Sequence, residues 1–162
     1  LPQVTHGGSM RYVIGRKNKH KKSEIISKFL DEEQSKKLDT IESCLDFKKA
    51  CELSKKMTLE KLNKFKIDNK KICGYAATAK STTVLNYCNI GNDIIEFICD
   101  TTSEKIGKFS PGTHIPIVPM SHFKKNIPDV AFLFAWNHKD EIYLKEKEFK
   151  ENGGVWFSHV TL

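Results

Sequence analysis

Lys71-Ile72-Cys73-Gly74-Tyr75-Ala76-Ala77-Thr78-Ala79-Lys80-Ser81 reads as a buried strand running into a small-residue loop that opens a helix, Thr78 to Cys88. Asp93 to Asp100 contains a second strand, Ile94-Ile95-Glu96-Phe97-Ile98-Cys99, and residues 101–113 a polar loop. His114 to Val118 is a third strand, and Ser121 to Asn126 a short helix or turn. Val130-Ala131-Phe132-Leu133-Phe134-Ala135-Trp136 is apolar throughout, as suits a central parallel strand covered on both faces. His138 to Glu151 is a charged helix ended by Gly153-Gly154, and Val155 to Val160 the last strand. Strands alternating with helices predict an α/β fold, a Rossmann-like, doubly wound and mostly parallel sheet. Ligands bind such sheets beyond the carboxyl ends of the strands. Those ends are Gly74–Ser81, Asp100–Thr113, Pro119–His122 and Trp136–Lys139.

Upstream the pattern is helical from Ser23 to Lys66, with Ile26, Phe29 and Leu30 on one face and Leu38, Ile41 and Leu45 on another. Asp39 with Glu42 has the form of a capping box, and Thr58 can cap a further helix. The expected organisation is a strand and basic linker over 1–22, a helical segment over 23–70, and a Rossmann-like domain over 71–162. With 162 residues the chain can bury a sizeable core without disulfides. Its first residues, Leu1 to His6, match neither a signal peptide nor an initiating methionine and read as a cut inside a longer protein. No 18-residue apolar run exists, so a cytoplasmic protein with no membrane partner is expected.

The net charge is +7, and all of the excess lies in residues 1–70, which hold 17 basic and 10 acidic side chains. Its centre is Arg16, Lys17, Lys19, Lys21 and Lys22. The cluster can meet phosphates, or be a solvated linker; no aromatic interleaves it, which argues against single-strand stacking and against nucleic acid as partner. The five cysteines form no C-x-x-C pair and fit reduced, buried thiols. No metal site is expected, because the histidines lack ligand spacing.

Small residues after Gly74 let backbone N–H groups approach an anion at a helix start, with Lys80 and Ser81 as further donors. They equally suit a tight turn. Asp100 ends the second strand, where an acidic residue can accept a ribose hydroxyl or cap the next segment. Lys105 and Lys108 can neutralise a diphosphate or be surface lysines. His6, before Gly7-Gly8, can be a general base or an ordinary surface histidine.

Gly74-Tyr75-Ala76-Ala77-Thr78-Ala79-Lys80, Leu85-Asn86-Tyr87-Cys88, Pro111-Gly112-Thr113-His114-Ile115-Pro116 and Trp136-Asn137 together resemble one family, the C-terminal domain of S-adenosylmethionine-dependent sugar C-methyltransferases. Its members typically read G-Y-G-A-A-A-K-G, L-N-Y-C, P-G-T-H-I-P and P-W-N in this order, and His6-Gly7-Gly8-Ser9-Met10-Arg11 looks like the family's H-G-G-S-L-R. This chain has Ala76 where the family often has glycine. The resemblance implies one part of a larger enzyme, the part that helps hold a nucleotide-linked keto-deoxysugar. S-adenosylmethionine would bind the missing domain of the same polypeptide and not this chain, which alone would be inactive. It further implies His6 as the base that removes the proton beside the ketone. The motif positions together with the strand-end residues give the expected substrate-binding set: Gly74, Tyr75, Ala76, Lys80, Ser81, Asp100, Lys108, His114 and Asn137. A competing expectation is a non-catalytic Rossmann-like module for nucleotide-sugar binding or assembly.

Overall fold

The computed structural model describes residues 1–5 and 8–160, which divide into two units, Leu1–Glu52 and Leu53–Leu162. In the first, β1 (Pro2–Gln3) pairs antiparallel with β2 (Ser9–Met10), Gln3 opposite Ser9. The chain leaves strand geometry after Met10, and Tyr12, Val13 and Ile14 are exposed. Helix α1 (Glu24–Ser35) buries no residue within the chain. Helix α2 (Ile41–Ile67) begins at Thr40, whose Oγ1 accepts from the Ser43 amide at 3.3 Å, so Thr40 and not Asp39 makes the cap. Thr58 starts no helix. It lies inside α2 with its hydroxyl fully buried, because α2 runs unbroken into the second unit.

That unit is built on a five-stranded parallel sheet ordered β5-β4-β3-β6-β7. The strands are β3 (Ile72–Tyr75), β4 (Ile98–Asp100), β5 (Ile117–Pro119), β6 (Val130–Leu133) and β7 (Val155–Phe157). The helices are α3 (Ala79–Cys88), α4 (Met120–Lys125), α5 (Lys139–Lys145) and α6 (Lys147–Glu151). The doubly wound α/β expectation is met. β3 is central, and the chain passes from it to β4 on one side and later to β6 on the other. Their carboxyl ends therefore form the switch point at which such sheets bind ligands.

The two-residue period of a strand divides the core into two layers. Ile72, Ile98, Phe132 and Phe134 face Leu62 of α2 and Leu85 of α3. Cys73, Tyr75, Cys99 and Leu133 face Phe123 of α4 and Phe149 of α6. Gly74 has a packing reason: a Cβ there would stand 2.8 Å from Phe134 Cε2 and 2.9 Å from Ile98 Cγ1. Burial of these large apolar side chains at about 1.5–3 kcal/mol each supplies the main driving force.

Four strands, β4 to β7, are shorter than the sequence suggests, β6 ending at Leu133 and β7 at Phe157. Ile94 and Ile95 belong to a turn closed on the Gly91 carbonyl. His114 has φ +53°, which no strand accommodates. The expected helix over 138–151 opens with a 3-10 turn at Trp136–His138 and breaks between α5 and α6 at Glu146, whose side chain turns inward.

Candidate ligand cleft

Beyond the carboxyl ends of β3, β4 and β6 lies a cleft of about 290 Å³. Its floor includes Tyr75, Ala76 and Asp100, and its wall His138, Glu141 and Lys145 from the start and one face of α5. A second hollow, about 350 Å³, lies at the N-terminal end of α3 and contains Thr78, Ser81, Lys105, Lys108 and Pro111.

The turn between β3 and α3 separates the two and is held from the loop after β4. Asp100 Oδ2 accepts from the Ala77 amide at 2.6 Å, and Oδ1 from the Thr102 amide at 2.7 Å. Lys105 Nζ donates to the Ala77 carbonyl at 2.7 Å and stands 3.6 Å from Asp100 Oδ2. Burial by itself would raise the Asp100 carboxyl, but the hydrogen bonds from Thr102 and Ala77, with Lys105 beside them, hold it below the usual carboxylate range. Thr78 caps α3, its Oγ1 accepting from the Ser81 amide at 3.1 Å while Ser81 Oγ donates back to the Thr78 carbonyl at 2.6 Å.

Tyr75 spends its hydroxyl inside the protein. It donates to buried Glu146 Oε1 at 3.1 Å, and its ring meets Phe123 and Trp156 edge-on. Burial, then the Glu146 carboxylate, push the phenol well above an ordinary tyrosine. Tyr75 is thus a buried part of the cleft floor, its ring and hydroxyl both committed to the interior. Cys73 is equally committed to the interior: burial, then neighbouring Cys99, push its thiol well up, which removes it as a nucleophile.

Tyr75, Ala76 and Asp100 thus come together in the cleft, and Ser81 and Lys108 in the second hollow. Gly74 lies beneath Phe134, half-buried Lys80 belongs to neither hollow, and His114 is exposed. Asn137 precedes α5 with its Oδ1 buried and unpartnered among the described residues. His6 lies outside the described residues. Lys145, Glu141 and Glu146 were not singled out from sequence. The 138/141/145 spacing, one helical face just after the most apolar strand, was the signal available for the first two.

The motif residues also hold one another. Asn86 Nδ2 donates to the Pro111 carbonyl at 3.0 Å, fastening α3 to the 110–114 turn. Gly112 has φ +80°, and a Cβ there would overlap Asn86 Oδ1. Residues 4–160 match the family described as C-methyltransferase C-terminal domain. The chain belongs to that family. This C-methyltransferase domain is 33% identical over 150 residues to C-methyltransferase NovU of Streptomyces niveus, a match covering 92% of this chain and 36% of the relative. The domain therefore spans about a third of the length of the relative it matches. Among its described residues no group of three or more His, Cys, Asp or Glu side chains is arranged to hold a metal ion, and no helix is long and apolar enough to cross a membrane.

Proposed function

We propose that this chain is the substrate-side domain of a methyltransferase that uses S-adenosylmethionine to methylate carbon in a nucleotide-linked keto-deoxysugar. The observation that carries the reading is the switch-point cleft, lined by Lys145, His138, Asp100 and Tyr75 together in a domain of the C-methyltransferase family. The exposed Lys145 ammonium on the wall suits a diphosphate.

Both oxygens of Asp100 are engaged by backbone amides, so in this reading the carboxylate braces the β3–α3 turn and is not offered to a ribose hydroxyl. The donor belongs outside this chain in this reading. What this chain contributes is orientation: it holds the diphosphate and sets the ketone so that a base can take the adjacent, acidified proton. His6 is assigned as that base. His6→Ala in the longer enzyme should lower turnover about 100-fold or more while leaving substrate affinity nearly intact; an intact rate removes it from the mechanism.

Calorimetric titration with nucleotides, nucleotide sugars and S-adenosylmethionine tests the assignment. Binding of a nucleotide sugar and not of S-adenosylmethionine supports it. Binding of S-adenosylmethionine alone overturns it. Binding of nothing favours a structural or assembly module.

A further inference from the structure

The basic cluster near the N-terminus is not used by the cleft. Residues 13–26 bend around a hollow of about 650 Å³. Arg16, Lys17, His20, Lys21 and Lys22 line it, with Val13, Ile14 and Ile26 as its apolar part. The bend has a backbone cause: Asn18 adopts φ +64°, and the Lys19 amide donates to the Arg16 carbonyl at 3.1 Å. His20 folds back over Gly15, where a Cβ would stand 2.8 Å from its ring. The turn thereby brings cations from both of its arms to one hollow.

These cations are unneutralised. Elsewhere in the same unit lysines have acidic neighbours, Lys49 with Asp46 at 2.9 Å and Lys48 with Glu52 at 3.8 Å. Among the described residues no carboxylate comes within 4 Å of Arg16, Lys17, Lys21 or Lys22, and Glu24, the nearest acid in sequence, does not line the hollow. Four positive charges brought to one exposed turn repel one another, and a compact multivalent anion relieves that repulsion.

We propose that the 13–26 turn is a binding site for a compact polyphosphate group, a di- or triphosphate. The density of positive charge on this exposed turn suits such a group, and the lining has no aromatic platform of the kind extended single strands stack on. The site stands independently of the methyl-transfer reading, since it shares no residue with the cleft.

The test is calorimetry of the full chain at low salt with sodium tripolyphosphate, pyrophosphate and ADP. Tripolyphosphate should bind, and rising salt should weaken it. The triple variant R16E/K21E/K22E should bind about 10-fold or more weaker. The triple variant K124E/K125E/K150E changes net charge equally at exposed positions of the other unit and should bind within about 2-fold of the parent. R16Q/K21Q/K22Q guards against misfolding, with circular dichroism on each variant. Tighter binding of ADP than of pyrophosphate assigns a nucleotide as the source of the phosphates, and equal binding assigns the phosphates alone. Equal weakening in both glutamate triples, no binding of tripolyphosphate, or binding only of a polynucleotide overturns the proposal.

Discussion

Asp100 Oδ2 accepts the Ala77 amide at 2.6 Å, which ties the end of β4 to the turn after β3 across the floor of the cleft. Because the carboxylate is held below its usual range, first against burial and then by Thr102, Ala77 and Lys105, its bonds stabilise the fold above about pH 4. That contribution fades as pH falls through the depressed value, where the folded form also takes up the proton. Asp100→Asn should cost about 1–3 kcal/mol at neutral pH in urea unfolding and flatten the acid limb of stability. An unchanged acid limb would mean that this carboxylate is not the group responsible.

Ala76 sits at φ +72°, a left-handed conformation that an L side chain adopts at a cost of about 1–2 kcal/mol. Ala76→Gly relieves that strain and adds some unfolded-chain entropy, so a net gain of about 0.5–1 kcal/mol is expected, read as a higher Tm. A lower Tm would show that the methyl group packs productively here.

Gly74→Ala pushes a methyl against Phe134 and Ile98, both fully buried. Overpacking of this kind costs about 1–3 kcal/mol. Adding Phe134→Leu should recover part of the loss. Strict additivity of the two substitutions in denaturant unfolding would contradict the steric explanation.

Tyr75 should resist ionisation. Burial, then Glu146, raise its phenol, and burial, then Asp140, also raise Tyr143, so two of the four tyrosines should ionise late when absorbance near 295 nm is followed past pH 10, Tyr75 the later of the two. A raised folded value means that the associated stability is fully present below about pH 10 and is lost as pH climbs beyond it. Tyr75→Phe should abolish the latest step while leaving that of Tyr143, and cost about 1–3 kcal/mol, since it leaves Glu146 buried without its donor.

Lys145→Ala should weaken nucleotide-sugar binding about 10-fold with little change in Tm, because Lys145 lines the cleft from an exposed position on α5. Unaltered affinity would take the diphosphate away from this wall.

The strand, turn and helix around Gly74 were legible because composition, period and capping agree there: an apolar run, small residues, then Thr78 as the cap. Val130 to Leu133 was legible for the same reason, as a short run covered on both faces. What sequence could not show were arrangements fixed by distant partners. Glu146 interrupts a helical pattern because Tyr75, far away in the chain, supplies its donor. Thr58 looks like a helix start but is buried inside α2. Asp100 was even between ribose acceptor and cap, and only the Ala77 and Thr102 amides show how both its oxygens are used.

The placement of β3 in the middle of the sheet has a consequence for how this domain is made. β3 is the first of the five strands to leave the ribosome, yet its neighbour β6 arrives only after β4 and β5, Ile72 waiting for Val130. Until then the nascent chain holds a central strand with one open side, and its apolar residues are without their cover. Long-range parallel pairings of this kind make folding slow and late. A chain halted before Val130 should therefore be protease-sensitive along β3, and protection should appear in one step once β6 has emerged.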